Sequence, residues 1–133
     1  MEDAIRNRVE ESGLVQLDLS ALLSSRPLRD IDIAPQLWQG LAIREQEFRT
    51  WLKALDCTVY DGADVAIHCS ADAIVPEWVW MLVTASLQGH ARSVHVCAPQ
   101  HLKAAVLARI AEELDPEEYR GQRVVGTGCG LDA

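Results

Sequence analysis

The stretch from Val65 to Leu87, VAIHCSADAIVPEWVWMLVTASL, constrains the fold more than any other part of the chain. Val65-Ala66-Ile67 is a short apolar run placed just after Asp61-Gly62. A run of that kind, bounded by a turn, suits a strand covered on both faces, as strands of parallel sheets are. Cys69, Ser70 and Asp72 then form a polar loop, and a helix is expected to open at Pro76. Proline suits the first helical position because its missing N–H has no intrahelical partner to lose. Glu77 follows in the first turn, where the helix dipole favours a negative charge, and Gly89 is the expected stop. The polar residues Glu77, Thr84 and Gln88 fall near one narrow stripe, with Trp78, Trp80, Met81, Leu82, Val83 and Leu87 spread around the remainder. A helix apolar nearly all round is expected to be buried on more than one side, in the centre of the domain or at a subunit interface.

The flanking segments extend the same pattern. Asp3 to Ser12 reads as a short N-terminal helix with Ile5 and Val9 on one face, stopped by Gly13. Leu14 to Leu19 alternates, Val15, Leu17 and Leu19 against Gln16 and Asp18, as a half-exposed strand does. Ser24 to Arg29 reads as a loop. Ile31 and Ile33 flank Asp32 in a second short strand ended by Pro35, and Leu37 to Ile43 fits neither element well because of Gly40. Phe48, Trp51, Leu52 and Leu55 recur at helical spacing and predict a helix over 44–55, with Arg44, Glu45, Glu47, Arg49 and Lys53 on its solvated face. Ser93 to Cys97 alternates as a strand. Gln100 to Leu114 predicts an amphipathic helix burying Leu102, Val106 and Ile110, and Gln122 to Thr127 predicts a further strand. The order β-α-β-α-β over 63–127 implies right-handed crossovers and a parallel sheet. The expected architecture is one α/β domain over 1–133, mostly parallel, with an N-terminal α/β portion (1–58) and a β-α-β-α-β portion (59–133).

Composition narrows the function classes. At 133 residues the chain has the size of one domain with a real core. Twelve basic against twenty acidic residues give a net charge of −8 without a local basic cluster, which argues against a nucleic-acid backbone as partner. No apolar run is long enough to span a membrane, and the charged segment MEDAIRNRVEESG lacks the apolar core of a secretory signal. A cytoplasmic location with reduced thiols is the expectation. The four cysteines, Cys57, Cys69, Cys97 and Cys129, form no C-x-x-C pair of the kind zinc ribbons and redox motifs use.

The loop after the central strand is the expected site. Ligands of open α/β sheets bind outside the carboxyl ends of the strands, and free N–H groups at a helix start favour anions and lower the pKa of a nearby thiol. Cys69 thus has a reason to be reactive or to ligate a metal; the plainer alternative is a small buried residue, with Ser70 and Asp72 only turning the backbone. Tyr60-x-Gly62-x-x-Val65 before Cys69 is echoed by Tyr119-x-Gly121-x-x-Val124 before Cys129. Two related βα units of this kind would put Cys69 and Cys129 at the same end of neighbouring strands. The Gly126-x-Gly128-x-Gly130 turn is followed by no helix within the sequence, so a dinucleotide-phosphate site is not expected there. Ser70, Asp72, Gly128 and Gly130 are the loop residues expected to meet a ligand.

Three functions compete on these residues. The first is a ligand- or metal-binding module in which Cys69, Asp72, Cys129 and His68 surround zinc or iron, although adjacent strand residues such as His68 and Cys69 point to opposite sides. The second is a thiol enzyme with Cys69 as catalytic nucleophile and His68 or His95 as base. The third is a structural or interaction protein, a homodimer using the helix from Pro76 to Leu87.

The segment Cys69-Ser-Ala-Asp-Ala-Ile-Val-Pro-Glu-Trp78 resembles an uncharacterised bacterial family, domain of unknown function 2480. The resemblance takes in Ser12-Gly13-Leu14 to Leu19, Gln39-Gly40-Leu41, Arg44-Glu45-x-x-Phe48-Arg49 and Gly128-Cys129, essentially the whole chain. The family carries no established activity, so the resemblance implies no substrate. It does imply a tail beyond the Gly-Cys turn, with a further helix, strand and cysteine, that this sequence lacks after Ala133.

Overall fold

The computed structural model describes residues 13–127. The expected helix over Asp3 to Ser12, and Gly128, Cys129 and Gly130, lie outside the described residues. The elements run β1 (Val15–Asp18), α1 (Leu19–Ser24), β2 (Leu28–Asp32), α2 (Glu45–Ala54), β3 (Asp64–His68), α3 (Glu77–Leu87), β4 (Ser93–Val96), α4 (Leu102–Glu113) and β5 (Val124–Thr127), with short 3-10 turns between several of them. The fold is α/β and every named strand pairing is parallel.

Strands β2, β3 and β4 form one sheet in that order, with Ile31 opposite Ile67 and Ile67 opposite Val96. Both connections step the same way across the sheet, so two crossovers of one hand place α2 and α3 on the same face. Strand alternation then divides β3 between two cores. Val65 and Ile67 pack with Ile31, Ile33, Phe48, Leu52, Val79, Val83 and Leu87 beneath α2 and α3. Ala66 meets Leu102, Val106 and Ile110 of α4 on the other face. The small side chain of Ala66 lets α4 approach closely, and the apolar spacing of that helix buries the three residues the sequence indicates.

The last strand corrects an expectation. β5 does not extend the β3–β4 sheet; it pairs with β1, Val15 opposite Val124. The sequence echo survives in another form. Leu55-Asp56 and Leu114-Asp115 each leave a helix, and each aspartate accepts a bond from the backbone N–H two residues on, Thr58 and Glu117. A 3-10 turn ends at Tyr60 or Tyr119, and Gly62 or Gly121 takes a positive φ, 72° or 74°, before the next strand. The repeat is therefore a helix-to-strand connector at the strands' entry ends. β3 and β5 are not neighbours, so the premise that they carry Cys69 and Cys129 side by side fails.

Three local readings also shift. The expected strand to Leu19 ends at Asp18, whose carboxylate caps α1 by accepting from the Ala21 N–H at 3.2 Å. Leu37 to Ile43 is a tight turn, bridged between Trp38 and Ala42, in which Gln39 and Gly40 both have positive φ. Pro76 is the N-cap of α3, with extended backbone, and Glu77 begins the helix. This helix buries one stripe, Val79, Val83 and Leu87, while Met81 on the far side is 70% exposed. Within the single chain α3 is thus covered on one side, not at the centre of the domain. No helix among the described residues is long and apolar enough to cross a membrane.

Candidate functional site

The two ends of β3 hold different polar structures. At the entry end, Asp64 is fully buried. Its carboxylate receives two bonds from Arg26, Nε at 2.6 Å and Nη2 at 2.7 Å, and a short bond from the Ser93 hydroxyl. Because Ser93 donates its one hydrogen to Asp64, its oxygen accepts from His95 Nε2 at 2.8 Å. Burial opposes ionisation of Asp64, but the Arg26 and Ser93 bonds outweigh it and hold the carboxyl below the ordinary range. The bond to Asp64 raises the Arg26 pKa in turn. Burial lowers the pKa of His95 against the opposing pull of Asp64. The serine lies between the carboxylate and the imidazole, so this is not the order of a hydrolytic triad, in which the histidine is central.

At the exit end, the loop after His68 is tied to the neighbouring strand. The Ile33 N–H donates to the His68 carbonyl at 2.9 Å. Asp32 Oδ1 accepts from the N–H groups of Ala34 and Ser70, and Oδ2 accepts from the Ser70 hydroxyl at 2.6 Å. Burial opposes ionisation of Asp32, and the bonds from Ser70 and Ala34 more than compensate, so its carboxyl too is held below the ordinary range. Asp32, which its strand pattern shows only as the outward member between Ile31 and Ile33, ties down the loop of the candidate site. Its role was not readable there, because its bonds reach a loop 38 positions away.

The structure separates several of the expected site residues. His68 turns to the α4 face and bonds Asp30 Oδ2 at 2.8 Å. Cys69 packs on the opposite, α2/α3 face, and its sulfhydryl donates to the Ala71 carbonyl at 3.6 Å. Asp72 is exposed. No histidine is hydrogen-bonded to the Cys69 sulfur among the described residues: His68 is engaged by Asp30, His95 by Ser93 and His90 by Asp61. Among the described residues, no group of three or more His, Cys, Asp or Glu side chains converges so as to hold a metal ion.

What the exit end does form is a shallow, open cavity of about 360 Å³, lined by Ile67, His68, Cys69, Ala71, Ala73, Val75, Trp80, Val96, Cys97 and Ala98. It lies at the carboxyl ends of β3 and β4. Two thiols, Cys69 and Cys97, and the Trp80 indole open on it. Cys97 is a second cavity thiol that its position at a strand end had not marked as functional; burial pushes its pKa up, which disfavours the thiolate. A slightly larger hollow of about 400 Å³ lies between β2 and the start of α4, lined by Leu28, Arg29, Asp30, Pro99, Gln100, Leu102 and Lys103. It touches none of the loop residues from Cys69 to Asp72.

Fold and site together define a small parallel α/β domain whose tied loop and cavity stand at the strand ends where such sheets take ligands. The chain belongs to the family described as Protein of unknown function (DUF2480), whose family model matches residues 3–133. No match was found among curated proteins or among solved structures.

Proposed function

We propose that the protein is a binding module for a small ligand with both apolar and polar groups, held in the open hollow between the Cys69–Asp72 loop, Trp80 and Cys97. The observation that carries this reading is the cavity's place and lining. It stands at the carboxyl ends of adjacent parallel strands, and its about 360 Å³ falls within the size range of ligand sites, roughly 300–1,000 Å³. Ile67, Val75, Val96 and three alanines supply an apolar wall, the Trp80 indole a flat face, and the thiols and His68 a few polar groups. Asp32 fixes Ser70 and thereby the near wall.

The test is amide chemical-shift mapping by NMR with indole and phenol as probes. Shifts concentrated at Cys69–Val75, Trp80 and Val96–Ala98, and lost in an Ala73→Trp variant that fills the cavity, are expected. Shifts only elsewhere, or none at millimolar probe, would remove the proposal.

Zinc or iron at the same loop is a second reading, favoured by the opening of Cys69 and Cys97 on one cavity, since thiolates suit both metals. Elemental analysis of protein purified without chelators decides it. Stoichiometric metal that disappears in Cys69→Ser would replace the small ligand by an ion. Metal content unchanged by that substitution would end the metal reading.

A further inference from the structure

The hollow of about 400 Å³ between β2 and the start of α4 joins an apolar wall to an unbalanced charged rim. Leu28, Pro99 and Leu102 form the wall; Leu102 is buried and Leu28 half-buried. Arg29, Asp30, Gln100 and Lys103, all exposed, stand around it. Asp30, the sole acidic residue of the lining, is bonded to His68 Nε2 at 2.8 Å. Neither Arg29 nor Lys103 has an ion-pair partner among the described residues. Elsewhere Arg44, Arg49, Arg109 and Arg120 each meet a glutamate three or four positions away. The corresponding neighbours of Lys103, namely Pro99, Gln100, Val106 and Leu107, are uncharged. The first turn of α4 holds no acidic residue either, so the helix supplies Lys103 with no counter-charge of its own.

We propose that this hollow binds a small monocarboxylate with an apolar body, aliphatic or aromatic. The apolar body lies against Leu28, Pro99 and Leu102, and the carboxylate takes the place of the counter-ion that Lys103 and Arg29 lack. The charge of the rim selects a monoanion. Two cations against Asp30 leave a net +1, which one carboxylate cancels and a dianion exceeds. A cationic ligand would meet the same excess with the wrong sign. The volume falls within the range of small-molecule sites, roughly 300–1,000 Å³. The inference does not rest on the exit-end reading, because the two hollows share no lining residue.

Titration of the full chain with 4-phenylbutyrate, followed by amide chemical shifts, tests it against the neutral 4-phenylbutyramide. Saturable shifts are expected at Leu28, Arg29, Gln100, Leu102 and Lys103. The neutral amide is expected to bind at least about fivefold more weakly, the equivalent of about 1 kcal/mol. Lys103→Glu alters an exposed position in the first turn of α4, where the helix dipole favours a negative charge, so the fold and its circular dichroism are retained. That variant is expected to weaken carboxylate binding at least about tenfold, about 1.4 kcal/mol. Gln100→Trp fills the hollow from its rim and should abolish the shifts. Equal affinity for the carboxylate and the amide, or for Lys103→Glu and the unaltered chain, would overturn the inference. So would shifts confined to Cys69–Val75, or none at millimolar probe.

Discussion

The two ends of β3 are built from the same kinds of residue to opposite effect. At Asp64 a carboxylate, a guanidinium, a hydroxyl and an imidazole are joined to one another by hydrogen bonds. At Cys69 a carboxylate on the next strand, Asp32, holds a hydroxyl and two backbone N–H groups, but the loop it holds surrounds a cavity. No buried side-chain nitrogen or oxygen among the described residues lacks a hydrogen-bond partner. The entry end is thus internally saturated, and its charges serve the fold. At the exit end the polar groups are spent on shaping an opening. Buried charge alone does not mark a site.

Removing Asp64 tests this contrast most severely. Asp64→Ala leaves the Arg26 guanidinium, whose side chain is 2% exposed, without its main partner. Breaking a buried pair from one side costs about 3–5 kcal/mol. The double variant Arg26→Met/Asp64→Leu removes both charges and is expected to regain most of that loss. Urea denaturation measures both. A loss below about 1 kcal/mol for Asp64→Ala would be that of an ordinary exposed pair and would dissolve the distinction between the two ends.

Much of this contrast was legible in the sequence, and the missing part has a physical reason. The apolar spacing of Phe48 and Leu52, and of Leu102, Val106 and Ile110, marked helices that do bury those residues. Val65-Ala66-Ile67 marked a strand covered on both faces, and its loop does bound a cavity. Pairing over long distance was not legible. β1 and β5 are short, partly exposed strands, and nothing in either names the other as partner. The echo around Tyr60 and Tyr119 was real, and it recorded how the chain passes from a helix to the next strand. Arg26 stood in what read as a loop, where charge is normally solvated. One mark was present and passed over: Asp64 lies between Ala63 and Val65, inside an otherwise apolar buried run, where an acidic residue requires a partner.

A smaller change sharpens the comparison from the exit end. Asp32→Ala removes three accepted hydrogen bonds, two of them from Ser70. At a half-buried position the expected loss is about 1–2 kcal/mol. Its location is more informative than its size. Amide exchange from Ser70 to Val75 should accelerate, while Val65, Ala66 and Ile67, which are fully buried, keep their protection. Binding of the indole probe should weaken along with it. In Asp64→Ala the weighting reverses: protection falls throughout the sheet, and the loop loses no more than the strands. If Asp32→Ala left the exchange of Ser70 unchanged, the loop would owe its shape to packing of Val75 and Cys69 on the core.

The smallest effect separates the members of the entry-end network by pH. Burial lowers the pKa of His95 from its ordinary 6.5, so the folded chain holds it neutral where the unfolded chain begins to protonate it. The unfolded state then binds more protons, and stability falls as pH falls. This contribution is complete above the unfolded value and is lost as pH descends from there through the folded value. Asp64 and Asp32, whose folded pKa values are depressed, act in the same direction but in a lower window, below the ordinary carboxylate range. The denaturation midpoint should therefore decline in two stages on acidification. His95→Gln retains an N–H able to donate to Ser93 and abolishes the titration, so the upper stage should vanish and the lower one remain. An upper stage that persists in His95→Gln would not come from His95. The pH sensitivity would then lie outside the buried network.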